Sequence, residues 1–410
     1  MSIIKPFKAL RPAENFAKDV ASRPYDVLNR AEARKEAEQK AASFLHITKS
    51  EIDLPDEVDI HDSSVYEKAK ENLQAFIDNH ILLQEEKPAY YVYQLVMNGK
   101  SQTGLVGVSS VDDYENDVIK KHEFTRPEKE QDRINHITIT GAQTGNVFLA
   151  YRDVAEINKI IEDWKQAHTA VYDLVAEDGI RHTVWIVDTA STIQQITDLF
   201  ENKVPNTYIA DGHHRAASAA KVRRGLGTNK TAASDYFLTT LFPAGELQIL
   251  DYNRVIKDLN GLTASQFLEK LSQDFNVQES GAAVKPENLH DIGLYLGHKW
   301  YRLTANEGTY DPNDPVGVLD ISILQKNVFD PILGIADQRT DQRIDFVGGI
   351  RGLGALEQRV DSGEMALAFS LYPVRIEQLF AIADSGNVMP PKSTWFEPKL
   401  RDGLLTHLIY

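Results

Sequence analysis

The stretch YIADGHHRAASAAKVRRG, residues 208–225, passes from an apolar strand pattern into a helix pattern through an acid, a glycine, two histidines and an arginine. Asn, Gly or Ser would turn such a corner at lower cost. A glycine lets backbone approach closely, and a helix beginning near His213 gathers free N–H groups and the positive end of the helix dipole at one point. That combination favours an anion. Arg215 in the first turn adds a planar fork suited to phosphate or carboxylate oxygens, and His213 and His214 add donors whose charge depends on pH. Ala216, Ala217, Ala219 and Ala220 are small enough for the helix to lie close to a sheet. Adjacent histidines on a helix point about 100° apart, so they do not chelate as an i, i+4 pair does. Asp211 suits magnesium beside a phosphate, because such ions use one or two carboxylates plus phosphate oxygens.

Around this corner the chain reads as mixed α and β. Its 410 residues, 42% of them hydrophobic, suffice for two or three domains. Residues 30–46 and 63–82 carry helix patterns, the second with Val65, Ala69, Leu73, Phe76 and Ile77 on one face. Two alternating runs within 89–114 are joined at Asn98-Gly99, a strong hairpin signal. Pro127 suits the first turn of a helix over 126–137, and Asp178-Gly179 predicts a turn between strands. Strands and helices continue to alternate beyond residue 263. Hairpins interleaved with helices favour an α+β or mixed α/β fold over a purely parallel sheet. The expected division is 1–255, holding the DGHHR corner, and 256–410, a C-terminal α/β region packed on the first.

Composition excludes several chemistries. With no cysteine there is no disulfide, thiolate nucleophile or Cys-ligated metal. A net charge of −16 disfavours nucleic-acid coating, which relies on Lys and Arg. Neither a secretion signal nor an apolar run near 18 residues stands out, so a cytoplasmic protein without membrane contact is expected. The expected partner is a small-molecule substrate, and an oligomer is compatible with this reading.

Two further segments carry candidate residues. In VIKKHEFTRPEKEQDR (118–133), His122, Lys129 and Arg133 are cations for a polyanion, and Glu123 is a candidate base. Mixed charge at i, i+4 spacing also describes a solvated helix face. In NVMPPKSTWFEPKLRDGL (387–404), Lys392-Ser393 resembles the end of a phosphate loop, but the G-x-x-x-x-G is missing and Pro390-Pro391 stiffens the cradle. A Pro-rich loop that delivers Lys392, Ser393, Thr394 and Lys399 to a pocket remains.

The segments SRPYDVLNRAEAR, KKHEFTRPEKEQDR, YIADGHHRAASA, ALAFSLYP and MPPKSTWFEPKLRDGL resemble the hallmark stretches of the bacterial and archaeal family known as domain of unknown function 1015. The resemblance spans nearly the whole chain. Locally, DGHHR after a strand and opening a helix resembles the nucleotide-binding core of ParB-type nucleotidases, sulfiredoxin and the archaeal free-serine kinase. This implies a ParB/sulfiredoxin-like core whose corner holds nucleotide phosphates. The chain departs from sulfiredoxin in lacking the cysteine, and from ParB in lacking a recognisable DNA-binding helical region. What the resemblance implies is phosphoryl transfer from ATP or ADP (or CTP) with Mg2+ to a small hydroxylated metabolite such as L-serine. Glu123, Asp211 and His214 are then expected in catalysis. Gly212, His213, Arg215, His122, Lys129, Arg133, Lys392 and Ser393 are expected on substrate or phosphate, and Asp211 on the metal. A nucleotide-binding regulator and a metal-dependent phosphoesterase are the alternatives.

Overall fold

The strands Tyr90–Met97 and Lys100–Ser110 form an antiparallel hairpin in which Met97 pairs with Lys100. Its two-residue turn places Asn98 at φ +52° and Gly99 at φ +77°, the two left-handed residues that such a turn requires. A computed structural model describes residues Met1–Tyr410. The hairpin lies in a nine-stranded mixed sheet. Thr207–Asp211 pairs in parallel with Ile119–Lys120 and antiparallel with Val147–Tyr151. Val147–Tyr151 in turn runs parallel to Tyr236–Pro243. The mixed α/β class read from the sequence therefore holds.

The core of this sheet is aromatic and β-branched on its strands, with Tyr90, Val92, Leu149, Tyr151, Ile209 and Phe237 all buried. Helices Ala155–Ala167 and Ala190–Lys203 contribute Ile157, Ile161, Trp164, Ile196 and Phe200 to it. The helix His213–Leu226 contributes only Ala216, Ala219 and Ala220, each at most 3% exposed. Small side chains bring that helix close, as its composition predicts.

The helix expected over 30–46 is shorter. It runs Arg30–Ala37, opened by a capping box in which the Asn29 side chain accepts from Glu32 and Glu32 reaches back to Asn29. It stops because Gln39 turns into the left-handed region at φ +63°, which redirects Ala42 and Phe44 into a cluster with Leu10, Val20 and Leu73. Core packing here overrides helix propensity. The helix beginning at Pro127 runs to Thr140 and ends on Gly141 at φ +70°, as N-terminal proline and C-terminal glycine dictate.

The chain divides into two units, Met1–Leu247 with Pro398–Tyr410, and Gln248–Glu397. The expectation of a single boundary near 255 thus meets a chain whose last residues return to the first unit. There Asp402 and Ser22 exchange backbone hydrogen bonds, and His407–Leu408 pairs with Ala142–Gln143. The second unit is a six-stranded antiparallel sheet in the order Phe275–Ser280, Lys299–Ala305, Asp291–Leu296, Leu367–Ser370, Tyr252–Ile256, Ile344–Gly348. No helix is long and apolar enough to cross a membrane.

Candidate functional site

The strand Thr207–Asp211 breaks register before it ends: Ile209 faces Leu149, yet Asp211 faces Phe148, its neighbour. Such a bulge bends a strand and re-aims the side chain beyond it. Gly212 follows at φ +100°, and a Cβ there would lie 3.2 Å from the Arg215 guanidinium carbon and 3.3 Å from the Val147 Cα. The helix then starts at His213 with no side chain capping it. Its first N–H groups are therefore left for another acceptor.

Arg215 is buried and lies across this corner. Its Nη1 donates to the carbonyl of Asn146. Nη2 faces Asp211 at 3.4 Å and Asp26 at 3.5 Å, and Nε is buried with no partner. Both carboxylate contacts are longer than an ordinary hydrogen bond. Burial opposes the guanidinium charge, but Asp26 and Asp211 outweigh it and hold Arg215 above its ordinary range. Lys399 Nζ is 3.3 Å from Asp211. Burial likewise opposes the Asp211 charge, and Lys399 and Arg215 reverse that, leaving the carboxylate well below the usual range. One side of the corner is thus an aspartate held between two cations.

The histidines act differently from the donors their sequence position suggests. Backbone N–H of His122 donates to His213 Nε2 at 3.4 Å, and that of Arg126 donates to His214 Nε2 at 3.0 Å. Each imidazole accepts, so each is neutral with its proton on Nδ1. Burial, aided by Lys129 and Arg126, takes His214 down to about 4. Burial and His122 take His213 well below its ordinary value. Together they fasten the loop 121–126 to the helix start. The rings of His122 and His213 meet edge to face at 4.5 Å, and His122 Nδ1 is buried without a partner. Glu123 Oε2 lies 3.9 Å from His213 Nδ1 and is half exposed.

Of the residues expected at the site, His122, Glu123, Asp211, Gly212, His213, His214 and Arg215 are gathered by these contacts. Lys129 acts on His214 through its charge. Arg133 is engaged elsewhere, paired with Asp132 at 2.7 Å and stacked 3.9 Å over the ring of Tyr25. It lines, with Tyr25, His136, Gly145 and Arg215, a cavity of about 20 Å³, room for a single water. Lys392 and Ser393 belong to the second unit. There Lys392 Nζ lies 5.9 Å from the Tyr252 ring and Ser393 Oγ donates to the Pro390 carbonyl at 2.7 Å.

Three site residues escaped the sequence reading. Asp26 was legible only as part of a turn, Asn146 carries no signal, and Asp402 sits in a segment noted for its lysines. Asp402 Oδ2 is buried without a partner, and Oδ1 would be 3.5 Å from a Cβ placed on Gly145. Burial pushes its carboxyl up to about 7 against the pull of Arg215. No group of three or more His, Asp or Glu converges on a common point. A metal held by Asp211 would need phosphate oxygens for its remaining ligands.

Among curated proteins none matches the chain. Solved structures that resemble it include a conserved hypothetical protein from Pyrococcus furiosus, 14% identical over 75% of this chain and 97% of that one, with a TM-score of 0.37. A free serine kinase in complex with AMP is 14% identical over 76% and 92%, with a TM-score of 0.37. SbnI from Staphylococcus aureus, lacking its C-terminus, is 11% identical over 74% and 87%, with a TM-score of 0.40. The family described as protein of unknown function DUF1015 matches residues 4–322, and the chain belongs to it.

Proposed function

We propose that this protein is a nucleotide-dependent phosphotransferase that uses ATP, ADP or CTP with Mg2+ and a small hydroxylated metabolite, L-serine foremost, as acceptor. The observation that carries the reading is Arg215, buried at an uncapped helix start with its Nε unpartnered. A buried donor without a partner is costly, and an uncapped helix start with a guanidinium beside it favours phosphate oxygens.

In this reading the backbone at Gly212 and His213, with Arg215, holds the nucleotide phosphates. Asp211 and the phosphate oxygens would hold Mg2+, which would neutralise charge on the phosphates. His213 and His214 position the loop bearing Glu123 by accepting its N–H groups. The acceptor oxygen attacks the terminal phosphorus, its hydroxyl proton passes to the Glu123 carboxylate, and the bond to the leaving phosphate oxygen breaks. Lys399 and Lys129 supply positive charge as the leaving group gains negative charge, while Arg133, engaged by Asp132 and Tyr25, takes no part. Catalysis of this kind rests on positioning and electrostatics.

Glu123→Gln tests the assignment. Turnover falls at least about 100-fold, the usual contribution of a general base, while nucleotide affinity measured by calorimetry stays within about threefold. Equal turnover in the variant removes Glu123 as base. Nucleotide binding with no turnover in the wild type makes the protein a nucleotide-binding regulator instead.

A further inference from the structure

Arg215 holds its two edges differently. Nη1, on the side of Cδ, donates to the Asn146 carbonyl. The other edge is formed by Nε and Nη2, the pair that grips an oxyanion side-on with two parallel N–H groups. Nε is buried with no partner. Gly212 lies against this part of the guanidinium, where a Cβ would come to 3.2 Å from both Nε and Cζ, so a side chain there would crowd the edge. Nη2, at the far end, faces two carboxylates, Asp211 Oδ2 at 3.4 Å and Asp26 Oδ2 at 3.5 Å. An oxyanion that takes the whole edge needs an Nη2 hydrogen that one of these acids now faces.

The two acids are not equally held. Asp211 ends a sheet strand and also has Lys399 Nζ at 3.3 Å. Asp26 lies in the short turn Tyr25–Val27, has Arg215 as its one ion-pair partner, and leaves 32% of its side chain exposed. The backbone around it is tethered: Ser22 exchanges hydrogen bonds with Asp402, the Tyr25 ring lies 3.9 Å from the Arg133 guanidinium, and Asn29 caps the helix that follows. The Asp26 side chain can therefore turn out to water while its turn stays in place. Left against Nη2, it would repel a phosphate bound on the same edge, and the partly buried surroundings strengthen that repulsion.

We propose that Asp26 is a built-in competitor at the Arg215 site: its carboxylate stands in for a ligand oxyanion at Nη2 in the ligand-free protein and leaves when a phosphate group binds. The inference rests on the reading of Arg215 as the phosphate-binding arginine and adds how that site is closed. Without ligand, Asp26 keeps the buried guanidinium compensated, which an unpaired charge in that position would not be. With ligand, the exchange discriminates. A monocarboxylate replaces Asp26 with no gain in charge, whereas a polyphosphate brings more charge and more oxygens, so the contact selects for polyphosphates.

Full-length protein is titrated by calorimetry with pyrophosphate in the absence of metal, and separately with ATP and Mg2+, at matched ionic strength. Asp26→Asn binds pyrophosphate at least about tenfold more tightly than the wild type, and the gain persists with ATP and Mg2+. Asp26→Glu, which keeps the charge, shows no such gain. Should Asp26→Asn fail to fold, Asp26→Ser shows the same tightening. Equal or weaker pyrophosphate binding in the neutral variants overturns the proposal and leaves the functional reading standing. A gain without metal that becomes a loss with Mg2+ makes Asp26 a metal ligand and overturns it as well. If wild type and variants alike bind neither pyrophosphate nor nucleotide, Arg215 is not a phosphate site, and the functional reading falls together with the proposal.

Discussion

Arg126 donates its backbone N–H to Nε2 of His214 at 3.0 Å, so a helix residue that reads as a phosphate donor is an acceptor that fastens a loop. The pair links the corner at Gly212 to the segment carrying Glu123. His214→Ala removes one such bond, worth about 1 kcal/mol. Amides of residues 121–126 then exchange faster with solvent while the strand Val147–Tyr151 stays protected. Uniform loss of protection would show instead that the bond serves the whole unit.

Gly212→Ala places a Cβ at φ +100° and within 3.3 Å of Arg215 and Val147. The conformation alone costs about 1–2 kcal/mol, and the contacts add to it. Denaturant unfolding checks the stability loss, and calorimetry checks a nucleotide affinity reduced at least tenfold. Unaltered affinity separates Gly212 from the anion site.

Acid sensitivity follows from burial. His122, His136, His182, His213, His214 and His407 all fall below their ordinary 6.5, each by burial first. The unfolded chain takes up these protons on acidification while the folded chain does not, so stability present above pH 6.5 is lost towards about 4. Asp320 and Asp402 run the other way, with carboxyls raised from 3.8 to about 7. The histidines outnumber them. The melting midpoint therefore drops as pH falls from 6.5 to 4, and a flat profile contradicts the neutral assignment of the histidines.

Asp402→Asn replaces a buried acid by its neutral counterpart. With the folded carboxyl at about 7 and its ordinary value at 3.8, stability from Asp402 is present below 3.8 and lost as pH rises through 7. The variant therefore gains on the wild type from pH 6 to pH 8. Equal slopes in paired melts over that window contradict a raised Asp402.

Much of this was legible before the structure. Asn98-Gly99, Pro127 and the strand-to-glycine-to-helix corner each announce themselves through backbone chemistry that few residues can supply. The break after Ala37 was not, because it depends on Phe44 finding Leu10, Val20 and Leu73. Asp26 and Asp402 reach Arg215, and Lys399 reaches Asp211, from opposite ends of the first unit, and no local pattern encodes that meeting.

The central claim is tested most directly by ³¹P NMR of pure protein with Mg2+ and ATP, ADP or CTP, with and without L-serine and other hydroxylated metabolites. The account predicts a new phosphomonoester resonance that needs protein, nucleotide and acceptor together and disappears in Arg215→Ala. Spectra that stay unchanged with every nucleotide and acceptor, despite bound nucleotide, contradict it.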